Sequence, residues 1–234
     1  MKMLVSMARL LVAVSAALLM DGTAFAQIPA AGSPAGINAA FVKLFGAVTT
    51  FTARAEARVI DRSQQETVRM PMDWAALDGK VRLEINLEQM TNKDLPPGTV
   101  ASLKQSGMAR IVSLFRPDQK ATYVVYPGVQ SYQNVPLAPG EVEAAQKGLK
   151  LEKSALGKET IEGHACVKNK VVVKGEKGAV LEAITWNAAD LKDFPMQIEM
   201  KEKQTTVRLR FSQVQFARPD AKQFDLPANY GLMK

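Results

Sequence analysis

The sequence predicts a mainly β, α+β fold: a single curved antiparallel sheet, a half-barrel, with three short helices over its concave face. Three observations carry this. Most of the chain alternates apolar and polar residues with period two, which marks strands with one buried and one wet face. Turn residues punctuate the alternation at strand-length intervals. Three short stretches switch to helical spacing and so supply cover for the apolar face.

The first helix is read from Ile37, Ala40, Phe41, Leu44, Phe45 and Val48, which share one helical face, with Ser33 as cap and Pro34 at the first position. The period then changes. Phe51, Ala53, Ala55, Ala57 and Val59 alternate with Thr52, Arg54, Glu56 and Arg58. Val68, Met70, Met72 and Trp74 form a second strand, and Val81, Leu83, Ile85 and Leu87 a third after the turn at Asp78-Gly79. Leu95-Pro96-Pro97-Gly98 breaks the pattern before a short helix carrying Val100 and Leu103. Strands resume at 109–115, 120–126 and 129–135, and a third helical stretch, 139–149, places Val142, Ala145 and Leu149 on one face. The last third reads as strands at 152–159, 165–174, 179–187, 194–203 and 205–216. Val207, Leu209 and Phe211 share one face while Val214 and Phe216 take the other, so a bulge is expected near Ser212-Gln213.

The chain opens with Lys2 and Arg9, an apolar run from Leu10 to Met20, and Ala24-Phe25-Ala26 before Gln27. That is the order of a Sec-type signal peptide cut after Ala26, so the protein is expected to be periplasmic or secreted. Three regions follow: residues 1–26 as signal, 27–36 as flexible leader and 37–234 as the half-barrel domain. A helix needs about 20 apolar residues to span a bilayer, and the mature sequence contains no such run. The full chain carries +7, and losing Lys2, Arg9 and Asp21 leaves +6. A basic exported surface suits peripheral contact with anionic lipid or acidic partners, and its compartment argues against nucleic acid. Cys166 is the only cysteine, so no internal disulfide can form.

No catalytic constellation emerges. His164 is the only histidine, and with Cys166 it makes at most half a metal shell, so no metal, no cofactor and no enzyme activity are expected. The lysines at 147, 150, 153, 158, 168, 170, 174 and 177 read as a solvated edge that discourages strand association. The apolar inventory is more informative. Met70, Met72, Trp74, Leu83, Ile85, Leu87, Met196, Ile198, Met200, Leu209 and Phe211 are the candidate cavity lining, since methionine adapts to irregular ligands, although ordinary core is the competing reading.

The run Ile161-Glu162-Gly163-His164-Ala165-Cys166 into strand 167–174, the Trp186 strand and the closing Phe224-Asp225-Leu226-Pro227-Ala228-Asn229-Tyr230 resemble the C-terminal pattern of bacterial periplasmic proteins of the LolA/LolB-like superfamily. The resemblance implies an open β half-barrel closed by helices, of the kind used by lipoprotein carriers, their receptors and an envelope stress sensor. The expected function is a non-enzymatic carrier or sensor that binds lipid, the acyl chains of a lipoprotein or another amphiphile in the half-barrel. The alternative is a module with a filled core that docks an envelope protein.

Overall fold

The sheet is held together by its longest-range pairing: β1 (Thr50–Asp61) lies antiparallel to β12 (Thr205–Gln215), which joins an N-terminal meander to a C-terminal one. The computed structural model describes residues 37–233 except 177 and 203. The expected signal and leader, and with them the Ser33 cap, lie outside the described residues.

The first meander runs through β2 (Glu66–Leu77), β3 (Lys80–Asn86), β5 (Arg110–Arg116), β6 (Ala121–Tyr126) and β7 (Ser131–Pro136), with the two-residue β4 (Thr91–Asn92) paired to β2. The second runs through β8 (Lys150–Ile161), β9 (His164–Gly175), β10 (Gly178–Ala188) and β11 (Phe194–Lys201) into β12. With β13 (Gly231–Leu232) they form one open 13-stranded sheet in the order β13-β7-β6-β5-β3-β2-β1-β12-β11-β10-β9-β8. Every ladder is antiparallel except β13 on β7, which makes the sheet mixed at that edge. The bulge expected near Ser212-Gln213 is present, with a register shift against Thr52/Arg54 and Gln213 at φ 52°.

Three helices accompany the sheet: α1 (Ala39–Lys43), α2 (Thr99–Gln105) and α3 (Pro139–Lys147). α1 is shorter than its periodicity suggests. It is capped by Asn38, whose Oδ1 accepts from the Phe41 N–H at 2.8 Å, and single turns carry the chain on to Val48. One apolar cluster spans both meanders and takes in α1.

The outer face divides in two. Over β2 and β5–β7 it is covered by the C-terminal segment: Phe224 packs with Ala75 and Leu77, and Leu226 and Tyr230 pack with Val112, Leu114 and Val125. Buried Arg116 fastens that segment by donating to the Phe224 carbonyl at 2.7 Å and to Asp225 at 2.9 Å, while its other edge grips Asp118. Over β1, β12 and β11 the outer face is an open lattice of arginines and carboxylates.

Candidate functional site

The inner face of β1 is a row of small residues between two tall ones. Ala53 lies opposite Trp74, Ala55 between Met72 and Phe211, and Ala57 between Met70 and Leu209. Alternate strand residues share a face, so the three alanines floor an apolar groove walled by Met70, Met72 and Trp74 on one side and Val207, Leu209 and Phe211 on the other. Outward from these walls lie Leu83, opposite Trp74, and Ile85, opposite Met72; on the other side Ile198 and Met200 face Leu209 and Val207. Met196 continues the β11 row and is buried. Ten of the eleven candidate lining residues thus share one cluster, Ile85 at its partly buried margin. Leu87 stands apart, because the chain turns there into a 3₁₀ segment and its side chain packs with Leu103 of α2 and Ala109.

The floor and both walls are buried along their length, and at the Trp74–Phe211 end the cover is the chain itself. Phe45, which follows α1, meets Phe51, Trp74, Phe194 and Phe211 at ring-centroid distances of 5.0, 5.8, 5.6 and 5.5 Å, and Phe41 meets Trp74 at 5.8 Å. The Phe45–Phe211 pair is edge-to-face, a geometry that the aromatic quadrupole favours, and the others are tilted by 37–44°. Ile37, Ala40 and Leu44 complete this plug. α3 lies beside α1 and directs Val142 onto the same cluster, while the Glu141 carboxyl next to it is buried with Oε1 unpartnered; burial pushes that carboxyl above the ordinary range.

The inner face also holds polar atoms that sequence reading missed, one in the groove wall and two on strands beyond it. Trp74 Nε1, Ser113 Oγ and Thr122 Oγ1 are buried with no hydrogen-bond partner. Trp74, Leu83 and Ser113 form one cross-strand row, and Thr122 sits opposite Phe115 one strand further on, so all three atoms belong to the inner face. Each such atom costs about 1–3 kcal/mol while unpaired. Ser113 and Thr122 look like ordinary strand residues in sequence; only the register shows them facing inward.

The outer lattice carries a hollow of about 600 Å³ in which Arg54, Arg58, Arg69, Arg110 and Arg210 interleave with Glu56, Asp73, Glu84 and Glu162. Burial raises the Glu56 carboxyl, but hydrogen bonds from Arg69 and Arg58 outweigh it and hold the group below the ordinary value; Glu84 behaves the same way through Arg82 and Arg110. A second hollow of about 520 Å³ adjoins it through Glu162 and Ser212 and takes in His164, Leu191 and Met196. His164 Nδ1 lies 2.7 Å from Asp190 Oδ2, and this contact holds the Asp190 carboxyl below its ordinary range. The Cys166 thiol is buried, and burial together with the Asp190 charge pushes it up, opposite to an activated nucleophile. Among the described residues no three His, Cys, Asp or Glu groups gather as a metal shell, and no helix is long and apolar enough to cross a membrane.

No protein-family model matches the chain, and no curated protein matches it in sequence. Its fold is similar to solved structures of low identity. A LolA superfamily protein from Nitrosomonas europaea matches at a TM-score of 0.39 and 10% identity, covering 81% of this chain and 98% of that one. The lipoprotein LppX from Mycobacterium tuberculosis matches at 0.38 and 12%, covering 77% and 93%. MucB in its complex with MucA from Pseudomonas aeruginosa matches at 0.38 and 13%, covering 82% of this chain and 61% of that one. Likeness at this level concerns the arrangement of strands and helices and assigns neither ligand nor partner.

Proposed function

We propose that this chain is a non-enzymatic protein of the cell envelope that binds lipid, the acyl chains of a lipoprotein or another amphiphile on the inner face of its half-barrel. The observation that carries the reading is that three buried polar atoms, Trp74 Nε1, Ser113 Oγ and Thr122 Oγ1, face inward without a hydrogen-bond partner, the first beside the alanine floor and the other two on β5 and β6 of the same face. A core with no ligand gains nothing from such atoms. An amphiphile would meet them with an ester or amide carbonyl while its chain lies along the alanine floor, where flexible methionines adapt to its shape. For this the segment 37–48 must lift, since Phe41 and Phe45 occupy the groove end beside Trp74. The signal-peptide reading of residues 1–26 supports a location in the periplasm or outside the cell.

A second reading, a docking module whose core stays filled, is favoured by the dense aromatic packing of that same plug. Titration with a dansyl-labelled fatty acid and its methyl ester separates the two. Saturable uptake of the ester that weakens in Met72→Asp but not in the outer-face variant Arg69→Glu supports the first reading. Absence of uptake by the folded protein would sink it.

A further inference from the structure

The two edges of the sheet are finished differently. At one, the chain's own C-terminus supplies β13, with Gly231 N–H donating to the Gln130 carbonyl at 2.9 Å and Met233 N–H to the Tyr132 carbonyl at 2.8 Å. At the other, β8 ends the sheet order, and no strand of the described residues lies beyond it. β8 is 12 residues long and pairs along its length with β9, interrupted by one register shift between Ala155 and Gly157. Apart from Ile161, which is buried, and Leu151, its residues are exposed. A strand that adds so little to the core leaves its outer row of N–H and C=O groups free for pairing, which is the requirement for strand addition by an extended peptide.

From this geometry we propose that the β8 edge is a docking site for an extended acidic segment of a partner protein. The charges select the sign. Around β8 most lysines are already neutralised within the fold: Lys153 by Asp193, Lys168 by Glu159, Lys170 by Glu182 and Lys174 by Glu152. Lys150 and Lys158 are not ion-paired among the described residues, so the strand presents two free cations. Between them Leu156, 55% exposed, is one of three large hydrophobic side chains left in solvent among the described residues and gives an incoming strand an apolar contact. The register shift between Ala155 and Gly157 turns Lys150 and Lys158 to opposite faces of the strand, across from Lys174 and Val167, so an extended partner with carboxylates on both of its faces would satisfy both, whereas the lysines of a second copy would not. The lysines and the register shift also guard the free edge against indiscriminate pairing, and so make it selective. The inference is independent of whether the inner face takes an amphiphile.

The test uses the protein and a labelled ten-residue peptide repeating Thr-Thr-Glu-Glu, which presents glutamate on both faces of an extended strand, with a Thr-Thr-Lys-Lys repeat as control. The glutamate peptide is expected to bind in a salt-sensitive way, to slow amide hydrogen exchange at residues 150–160 and nowhere on β7, and to lose about tenfold in affinity in the double variant Lys150→Glu with Lys158→Glu. Both positions are exposed, so the variant's melting temperature should match that of the parent. Equal binding of the two peptides, unchanged affinity in the double variant, or no added protection on β8 each overturns the proposal. Self-association abolished by Leu156→Asp also overturns it and assigns the edge to a second copy.

Discussion

If residues 37–48 act as a movable plug, Phe45→Ala should loosen the closed state and leave the wall intact. Phe45 is 4% exposed and packs against four rings of the sheet, Phe51, Trp74, Phe194 and Phe211, as well as against Phe41. Truncating a phenylalanine in such a setting costs about 3–5 kcal/mol. Where the wall stays folded when the plug lifts, most of that loss falls on the docking equilibrium, and about 3 kcal/mol corresponds to roughly a hundredfold shift toward the open form. Apparent affinity for an amphiphile scales with the open fraction, so uptake should strengthen by up to that factor. Fluorescence titration with a dansyl-labelled fatty acid ester reads the affinity, and thermal melting reads the stability. Phe115→Ala is the matched control: its buried ring belongs to β5 and makes no ring contact with Phe41 or Phe45, so it should lower the melting temperature with no gain in affinity. Should Phe45→Ala lower stability as Phe115→Ala does and leave uptake unchanged or weaker, the plug is fixed core and the reasoning fails.

Thr122→Val replaces an unpartnered buried hydroxyl by a methyl group of the same shape; it should stabilise the apo protein by about 1 kcal/mol and weaken binding of an ester amphiphile, and a loss of stability in melting curves would mean that the hydroxyl is satisfied in solution. Glu141 titrates above its ordinary value of 4.5 because of burial, so the folded state holds its proton more tightly than the unfolded state; the stability this provides is full below 4.5 and is lost as pH rises through the folded value. Glu141→Gln should therefore melt like the parent in acid and higher than it at neutral pH, by about 2–4 °C for each kcal/mol recovered, whereas parallel pH profiles would contradict the assignment. Arg116→Met strips the donor from the buried Phe224 carbonyl, costs about 1–3 kcal/mol, and should open residues 217–233 to limited proteolysis; an uncut C-terminus would show that the apolar contacts of Phe224 and Tyr230 hold it alone. Cys166 should react with a thiol reagent only as fast as the protein opens, and His164→Ala should leave amphiphile binding unchanged.

The strands were legible because one face of most of them is wet. Ala53, Ala55 and Ala57 against Arg54, Glu56 and Arg58 announce β1 without ambiguity, and the divided faces of Phe211 and Phe216 announce the Gln213 bulge. β8 is the opposite case: Leu151 and Ile161 are its only residues not exposed, yet the following turn and the lysines around it gave its place in sequence. What sequence could not supply was pairing across distance. That β1 lies beside β12 rather than at an edge, and that Ser113 falls in the same row as Trp74, depends on register between strands that no local pattern encodes. Alternation extends the methionine face to Leu87, but the ladder ends at Asn86, where the chain turns and the Asn86 side chain caps a 3₁₀ turn. Apolar spacing predicts a longer first helix because it continues to Val48 through single turns that pack like a helix without being one.

Native mass spectrometry of the protein purified from cells that naturally make it, followed by solvent extraction, tests the central claim most directly. The account predicts a bound acyl species that is lost when Met72 is changed to Asp in a protein that still folds. A ligand-free mass, from a protein that also takes up no fluorescent fatty acid or ester, would contradict it.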